Sequence, residues 1–215
     1  MKITVLSSSA THPLFDYLND WVRVTGEHHD VDLIQSKRDL SEGELLFLVS
    51  CSEIVSARER ARYSNALVLH ASDLPLGRGW SPHIWQIANG ASEITVTLLE
   101  AQDKVDSGDI WHKRHVNIPS NSLWDEINHL LFTAELELMD FAIENFGNIT
   151  PQVQNADIEP SYYPKRSPKN SRIDPEMSIE KQFDLIRVCD PVRFPAYVVL
   201  RNTKYAIKLE KINEE

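Results

Sequence analysis

The sequence predicts an α/β fold: a doubly wound, mainly parallel sheet with a small C-terminal helix plus β-hairpin extension. Three observations carry that expectation. Apolar runs of strand length recur at 2–6, 31–34, 45–49 and 66–69, helical periodicity fills the gaps between them, and the composition shifts after Ile149. Strands that alternate with helices in this rhythm pair in parallel through right-handed crossovers.

Each element follows from its residues. Residues 2–6 read as the first strand. Residues 13–24, with Leu14, Leu18, Trp21 and Val22 at helical spacing, read as an amphipathic helix, and 31–34 as the second strand. The run 45–49 is continuously apolar, as a strand buried on both faces requires. Residues 55–63 are expected as helix and 66–69 as the next buried strand; a short helix at 82–88 and strands at 94–100 and 110–118 follow. Leu123, Ile127, Leu130, Leu131, Ala134, Leu138 and Phe141 form the apolar stripe of a long helix over 122–145. Residues 150–177 are rich in Pro, Asn, Ser and charge and show neither period, so they read as a connecting loop lying over a first domain of residues 1–149. The extension, 178–215, begins with a helix that Ser178 caps, although Lys181 stands where a capping box wants an acid. Strands at 197–200 and 205–209 then form a hairpin through 201–204.

Composition bounds the function. The 215 residues suffice for one sizeable domain with its own core, and 42% hydrophobic with 25% charged residues is a soluble, globular balance. No apolar run reaches the roughly 18 residues of a spanning helix, and 2–6 is too short for a secretory signal, so no membrane partner is expected. Cys51 and Cys189 make no disulfide framework, and the cytoplasm is the default compartment. A formal charge of −10 opposes binding to polyanions, which disfavours a nucleic-acid partner; the arginines at 58, 60 and 62 read as a solvated helix face.

The segment from His70 to Ile110 concentrates the chemistry. His70 closes an apolar strand, within HASDLPLGRGWSP, and Asp106 lies in DSGD directly after the strand EITVTLLE. A lone histidine at a strand end is usually structural, and a lone aspartate before Ser-Gly is usually a turn former. Both stand next to a strand end, where parallel sheets place chemistry, and a site is defined by such a combination rather than by either residue alone.

These segments, with KRSPKNSRIDPEMSIEKQFDLIRVCDP further on, resemble the 10-formyltetrahydrofolate-dependent formyltransferases. The resemblance covers about residues 45–210 and is strongest over 65–111; GRGWSPHIWQI is similar to enzymes of pseudaminic acid-type sugar pathways. It implies a Rossmann-like fold and an N-formyltransferase moving a formyl group from 10-formyltetrahydrofolate to a nucleotide-linked amino sugar. Other amines, such as glycinamide ribonucleotide or an aminoacyl group on a carrier, stay open, as does a non-catalytic folate-binding module. In this chemistry an amine attacks a formyl carbon, so His70 would steady the oxyanion while Asp106 orients His70 or takes a proton.

One position departs from the family. Its asparagine two residues before the histidine is here Val68, which cannot donate a hydrogen bond. The nearest upstream asparagine, Asn65, is an odd number of positions from His70, so a bulge must bring it round or another donor must serve. The resemblance places the pterin between Ser52, Glu53 and Ile54 on one side and Gln102 to Val105 on the other, with Leu74, Pro75, Arg78 and Gly79 shaping the mouth; for Leu74 and Pro75 simple packing is an equal reading. Trp80 and Trp85 either stack on a ring or belong to the core.

For the acceptor, Ser7, Ser8 and Ser9 either hold a phosphate or carboxylate ahead of the first helix or cap that helix. Tyr162, Tyr163, Lys165 and Arg166 form either an aromatic and basic patch for a nucleotide sugar or a loop packed on the sheet. No metal is expected: His112 and His115 point to opposite strand faces, and His28 and His29 read as a solvated pair. The chain ends soon after the hairpin, leaving little room for the further domain of tRNA-acting relatives, and the hairpin edge suits a homodimer.

Overall fold

A computed structural model describes residues 1–212. Its main sheet has six strands: β1 (Lys2–Leu6), β2 (Asp30–Ile34), β3 (Gly43–Leu48), β4 (Tyr63–His70), a two-residue β5 (Arg78–Gly79) outside it, then β6 (Glu93–Glu100) and β7 (Ile110–Asn117), in the order β2-β1-β3-β4-β6-β7. The first four are mutually parallel, and β6 runs antiparallel to β4 and to β7. This is a mixed α/β fold with a mainly parallel sheet. The chain winds outward in one direction from β1 to β2 and in the other from β3 to β4, so the loops after β1 and β3 flank a crevice where parallel sheets open.

Side-chain alternation divides the core between the two faces of the sheet. Ile3, Val5, Leu45, Phe47, Leu67 and Leu69 lie against Leu14, Leu18 and Trp21 of α1 (Leu14–Thr25) and Ile127, Leu131 and Leu138 of a later helix. Leu6, Leu46 and Leu48 point the other way, to Leu40 and Val55. Burying any one of these leucines contributes roughly 1.5–3 kcal/mol. The expected helix over 55–63 shrinks to α2 (Ala57–Arg60), because Tyr63 is drawn into pairing with Gly43. The helix α3 (Pro82–Ala88) has the expected bounds, and α4 (Trp124–Glu144) starts and stops within two residues of them.

The connecting segment is more structured than its composition implied. A two-residue strand, β8 (Tyr162–Tyr163), pairs in parallel with β5, and a 3₁₀ turn spans Pro168–Ser171. After it, α5 (Ile179–Arg187) begins at Ser178, whose hydroxyl accepts from the Lys181 N–H. Arg187, almost fully buried, donates to the Pro119 and Ser122 carbonyls and anchors this helix to the main body. The hairpin joins β9 (Ala196–Leu200) to β10 (Thr203–Ile207) through a turn of two residues, tighter than the expected 201–204. Arg201 and Asn202 both take positive φ, 48° and 62°, the mirror-image turn that matches strand twist. No helix among the described residues is long and apolar enough to cross a membrane.

Candidate active site at the end of the fourth strand

The structure brings His70 and Asp106 together. β4 delivers His70 at its last residue, and Asp106 stands in the β6–β7 loop in a left-handed conformation, φ 54°, which aspartate tolerates better than most residues. His70 Nδ1 lies 3.5 Å from Asp106 Oδ1, and both side chains are about 93% shielded from solvent. On the other side of the ring, Nε2 is 2.9 Å from the Gly77 carbonyl, which can only accept, so Nε2 donates there. Both ring nitrogens therefore face acceptors. The second carboxylate oxygen, Oδ2, accepts from the Gly79 N–H at 2.8 Å, fixing the carboxylate plane against the 72–79 loop.

Glycine is required where these loops meet. Gly79 has φ 99°, and a Cβ there would approach the Tyr163 carbonyl to 2.5 Å. At Gly108 a Cβ would collide with the Glu100 carbonyl. The loop after His70 is pinned further by Thr97 Oγ1 donating to the Ser72 carbonyl and by Gln86 Nε2 donating to that of Ala71.

Five buried side-chain polar atoms lack a partner among the described residues, and two of them, Ser72 Oγ and Arg78 Nε, lie in the stretch that follows His70, with a third, His83 Nδ1, on α3. Native structures pair nearly all such atoms. Burial, and then the nearby His12, His70 and Arg166, push the His83 imidazole down to about 3. It stands neutral beside the site. His12 is lowered to about 4 by burial and by Arg193, and its Nδ1 accepts from the Leu14 N–H, taking the capping role at α1.

Asn65 is corrected. From Asn65 to His70 the pairing with β3 and then β6 runs unbroken, so no bulge turns Asn65 to the His70 face. Five residues of strand separate the two by roughly 17 Å. The structure leaves Asn65 at the far end of β4, away from the site. Val68 packs with Leu46 and Leu48 and supplies no polar group.

The remaining expected residues fall into three groups. Around the crevice after β1 and β3, Ser8 Oγ accepts from the Ser52 N–H at 2.9 Å, Ser9 meets Thr11, and Ser7 is fully buried. No serine caps α1; its N-cap residue, Pro13, makes no side-chain bond, and His12 accepts from the Leu14 N–H instead. Glu53 accepts from the Lys37 N–H, while Ile54 and Val105 are largely exposed and Gln102 lies open at the rim. At the mouth, Leu74 is 2% exposed and serves packing, and Arg78 is buried with its guanidinium turned to Gln154 and Tyr162 rather than to an open slot. Tyr163 stacks on Trp85 with Arg166 5.1 Å over that ring, and Lys165 lies 4.8 Å over Trp80, so the aromatic and basic residues pair ring with cation in two groups. Tyr162 and Trp80 keep about half their surface exposed. Sequence reasoning missed Gly77, Ser161 and Gln154; no periodicity marks them, because each acts through loop contacts.

Comparison with known proteins supplies the family. A methionyl-tRNA formyltransferase of Clostridium beijerinckii is 28% identical over 86% of this chain and 60% of its own length. This chain thus spans about 60% of that curated relative. Three solved structures share the fold: a methionyl-tRNA formyltransferase from Clostridium thermocellum (TM-score 0.82, 20% identity, 99% of this chain and 94% of that one), HypX from Aquifex aeolicus in complex with tetrahydrofolic acid (0.79, 22%, 95% and 36%), and a sugar N-formyltransferase from a Shewanella species (0.72, 17%, 100% and 99%). At these identities the structural likeness is one of architecture. The family model described as formyl transferase matches residues 9–143, more than half of the sequence and inclusive of His70 and Asp106, and the chain belongs to the formyl transferase family.

Proposed function

We propose that this protein transfers a formyl group from 10-formyltetrahydrofolate to a primary amine, and that the amine belongs to a nucleotide-linked amino sugar. The observation that carries the proposal is the buried His70–Asp106 contact at the end of β4, inside the segment that defines the family. The folate donor supplies the formyl carbon and a nitrogen leaving group. His70 donates from Nε2 to the formyl oxygen as negative charge builds on it, the oxygen taking the place of the Gly77 carbonyl. Asp106 keeps the ring oriented and takes the proton that the attacking amine sheds; as the new C–N bond replaces the bond from the formyl carbon to the folate nitrogen, that proton passes to the departing folate nitrogen. The 101–109 loop and the segment after β3 border the donor slot, and the Trp80–Lys165 and Trp85–Arg166 pairs face the acceptor.

Two observations favour a sugar over a nucleic acid. The chain carries 32 acidic against 22 basic residues, and an acidic protein works against phosphate counterion release. The two ring–cation pairs, Trp80–Lys165 and Trp85–Arg166, are few and local, matching the one base and short phosphate bridge of a sugar nucleotide. A second reading, methionyl-tRNA as acceptor, is favoured by the 28% identical curated relative. Incubation with 10-formyltetrahydrofolate and a panel of UDP-, dTDP- and CMP-linked amino sugars, glycinamide ribonucleotide and methionyl-tRNA separates them by mass spectrometry of the formylated product. Formylation of a sugar nucleotide supports the proposal. Formylation of methionyl-tRNA alone replaces it, and folate binding with no transfer to any acceptor leaves a binding module.

A further inference from the structure

Asp106 has no regular secondary structure to hold it, yet its carboxylate must stay against His70. What grips its backbone is a residue from the connecting segment. Gln154, 8% exposed, donates from Nε2 to the carbonyls of Asp106 and Gly108, each at 2.9 Å. Its Oε1 accepts from Arg78 at 2.7 Å. These partners admit one amide orientation: a guanidinium only donates, two carbonyls only accept, and the amide offers one oxygen and two N–H groups. Arg78 thereby fixes which end of Gln154 faces the Asp106 loop. The same segment holds the other neighbour of His70, because Ser161 Oγ accepts from the Gly77 N–H, and the Ser161 and Tyr163 carbonyls accept from the Arg78 and Trp80 N–H groups.

We propose that Gln154 is a positioning residue for Asp106, oriented by Arg78, so that the 154–163 segment sets the geometry of the His70–Asp106 pair. This rests on the formyl-transfer reading of the site. Arg78 accordingly acts inside the protein, through Gln154, rather than on the folate. Removing the amide leaves the buried Gly108 carbonyl and the half-buried Asp106 carbonyl without donors, and the loop relaxes until they find others. A displacement of about 1 Å at such a pair costs on the order of 10²-fold in turnover.

The test is Gln154→Met, which keeps the length of the side chain and removes its polar atoms. Two readouts are taken on the full chain: the ring ¹⁵N NMR signals of His70, and kcat and KM for 10-formyltetrahydrofolate with the acceptor found above. The expected result is a movement of the His70 signals in the same sense as in Asp106→Asn, a kcat lower by about 10²-fold, and an unchanged KM. Adding Arg78→Met should lower kcat little further, because the two residues act as one unit. Gln154→Glu, which keeps an acceptor for Arg78 but loses both donors, is read in the same way if the methionine variant does not fold. Unmoved His70 signals overturn the proposal, as does a raised KM at unchanged kcat; failure of both variants to fold assigns Gln154 to structure alone and overturns it too. The NMR arm needs no substrate, so a wild-type chain that formylates nothing defeats the activity and leaves the positioning claim to be judged by itself.

Discussion

Glu135 sits in the middle of α4 on its buried side, with Oε2 sealed from solvent and unpartnered. Burial raises its carboxyl from 4.5 to about 8. The folded state therefore holds a proton that the unfolded chain releases above about pH 4.5, and native stability must fall as pH rises between those two values. At 1.36 kcal/mol per pH unit the loss is about 3 kcal/mol by pH 7 and approaches 5 kcal/mol above pH 8. Against a typical stability of about 5–15 kcal/mol that is a large fraction. Glu135→Gln keeps the shape and cannot ionise, so its stability should vary far less across this window. Urea unfolding at pH 5, 6, 7 and 8, followed by circular dichroism, measures the slope for both proteins; the amide's own burial shifts the whole curve and leaves the slope alone. Equal slopes would refute the assignment of the retained proton to Glu135.

Other outcomes follow from the site and its loops. His70→Ala and Asp106→Asn should each lose about 10²–10³-fold in turnover with little change in thermal midpoint, whereas Asn65→Ala should match wild type; full activity in either of the first two removes the pair from the mechanism. Gly108→Ala forces a methyl into the Glu100 carbonyl, a backbone clash that side-chain rotation cannot relieve, and should cost about 3 kcal/mol by chemical denaturation; an unchanged midpoint would show that the loop yields. His83, held well below its ordinary value by burial, contributes stability that is present above pH 6.5 and lost as pH falls toward 3. His83→Leu should flatten that acid limb in a pH titration of unfolding, and an unaltered limb would assign it elsewhere.

Much of the fold was legible because its strands carry their own signature. The run 45–49 is apolar on both faces and emerged as the buried β3, and the stripe from Leu123 to Phe141 emerged as α4. Where the reading erred, long-range pairing overrode local pattern. The segment around Arg60 and Arg62 has helical character, but Gly43 claims Tyr63 for the sheet and ends the helix at Arg60. Arg201 at positive φ is invisible to propensity, since nothing but the strand twist on either side asks for it. At the site, His70 and Asp106 were legible through the order of their motifs, next to strand ends, while Asn65 failed for a reason of geometry: odd spacing on an unbroken strand keeps it on the other face.

The sequence by itself determined the alternation of strands and helices, because hydrophobic period is a local property that residue order encodes directly, and it named the two side chains that meet at the end of β4 through the order of motifs that resembles the formyltransferases. Tertiary structure alone decided what holds them. Gln154 and Ser161 lie 76 and 84 residues along the chain from Arg78 and Gly77, and their hydrogen bonds exist only once the 150–177 segment folds back over the sheet and excludes water from the groups it joins.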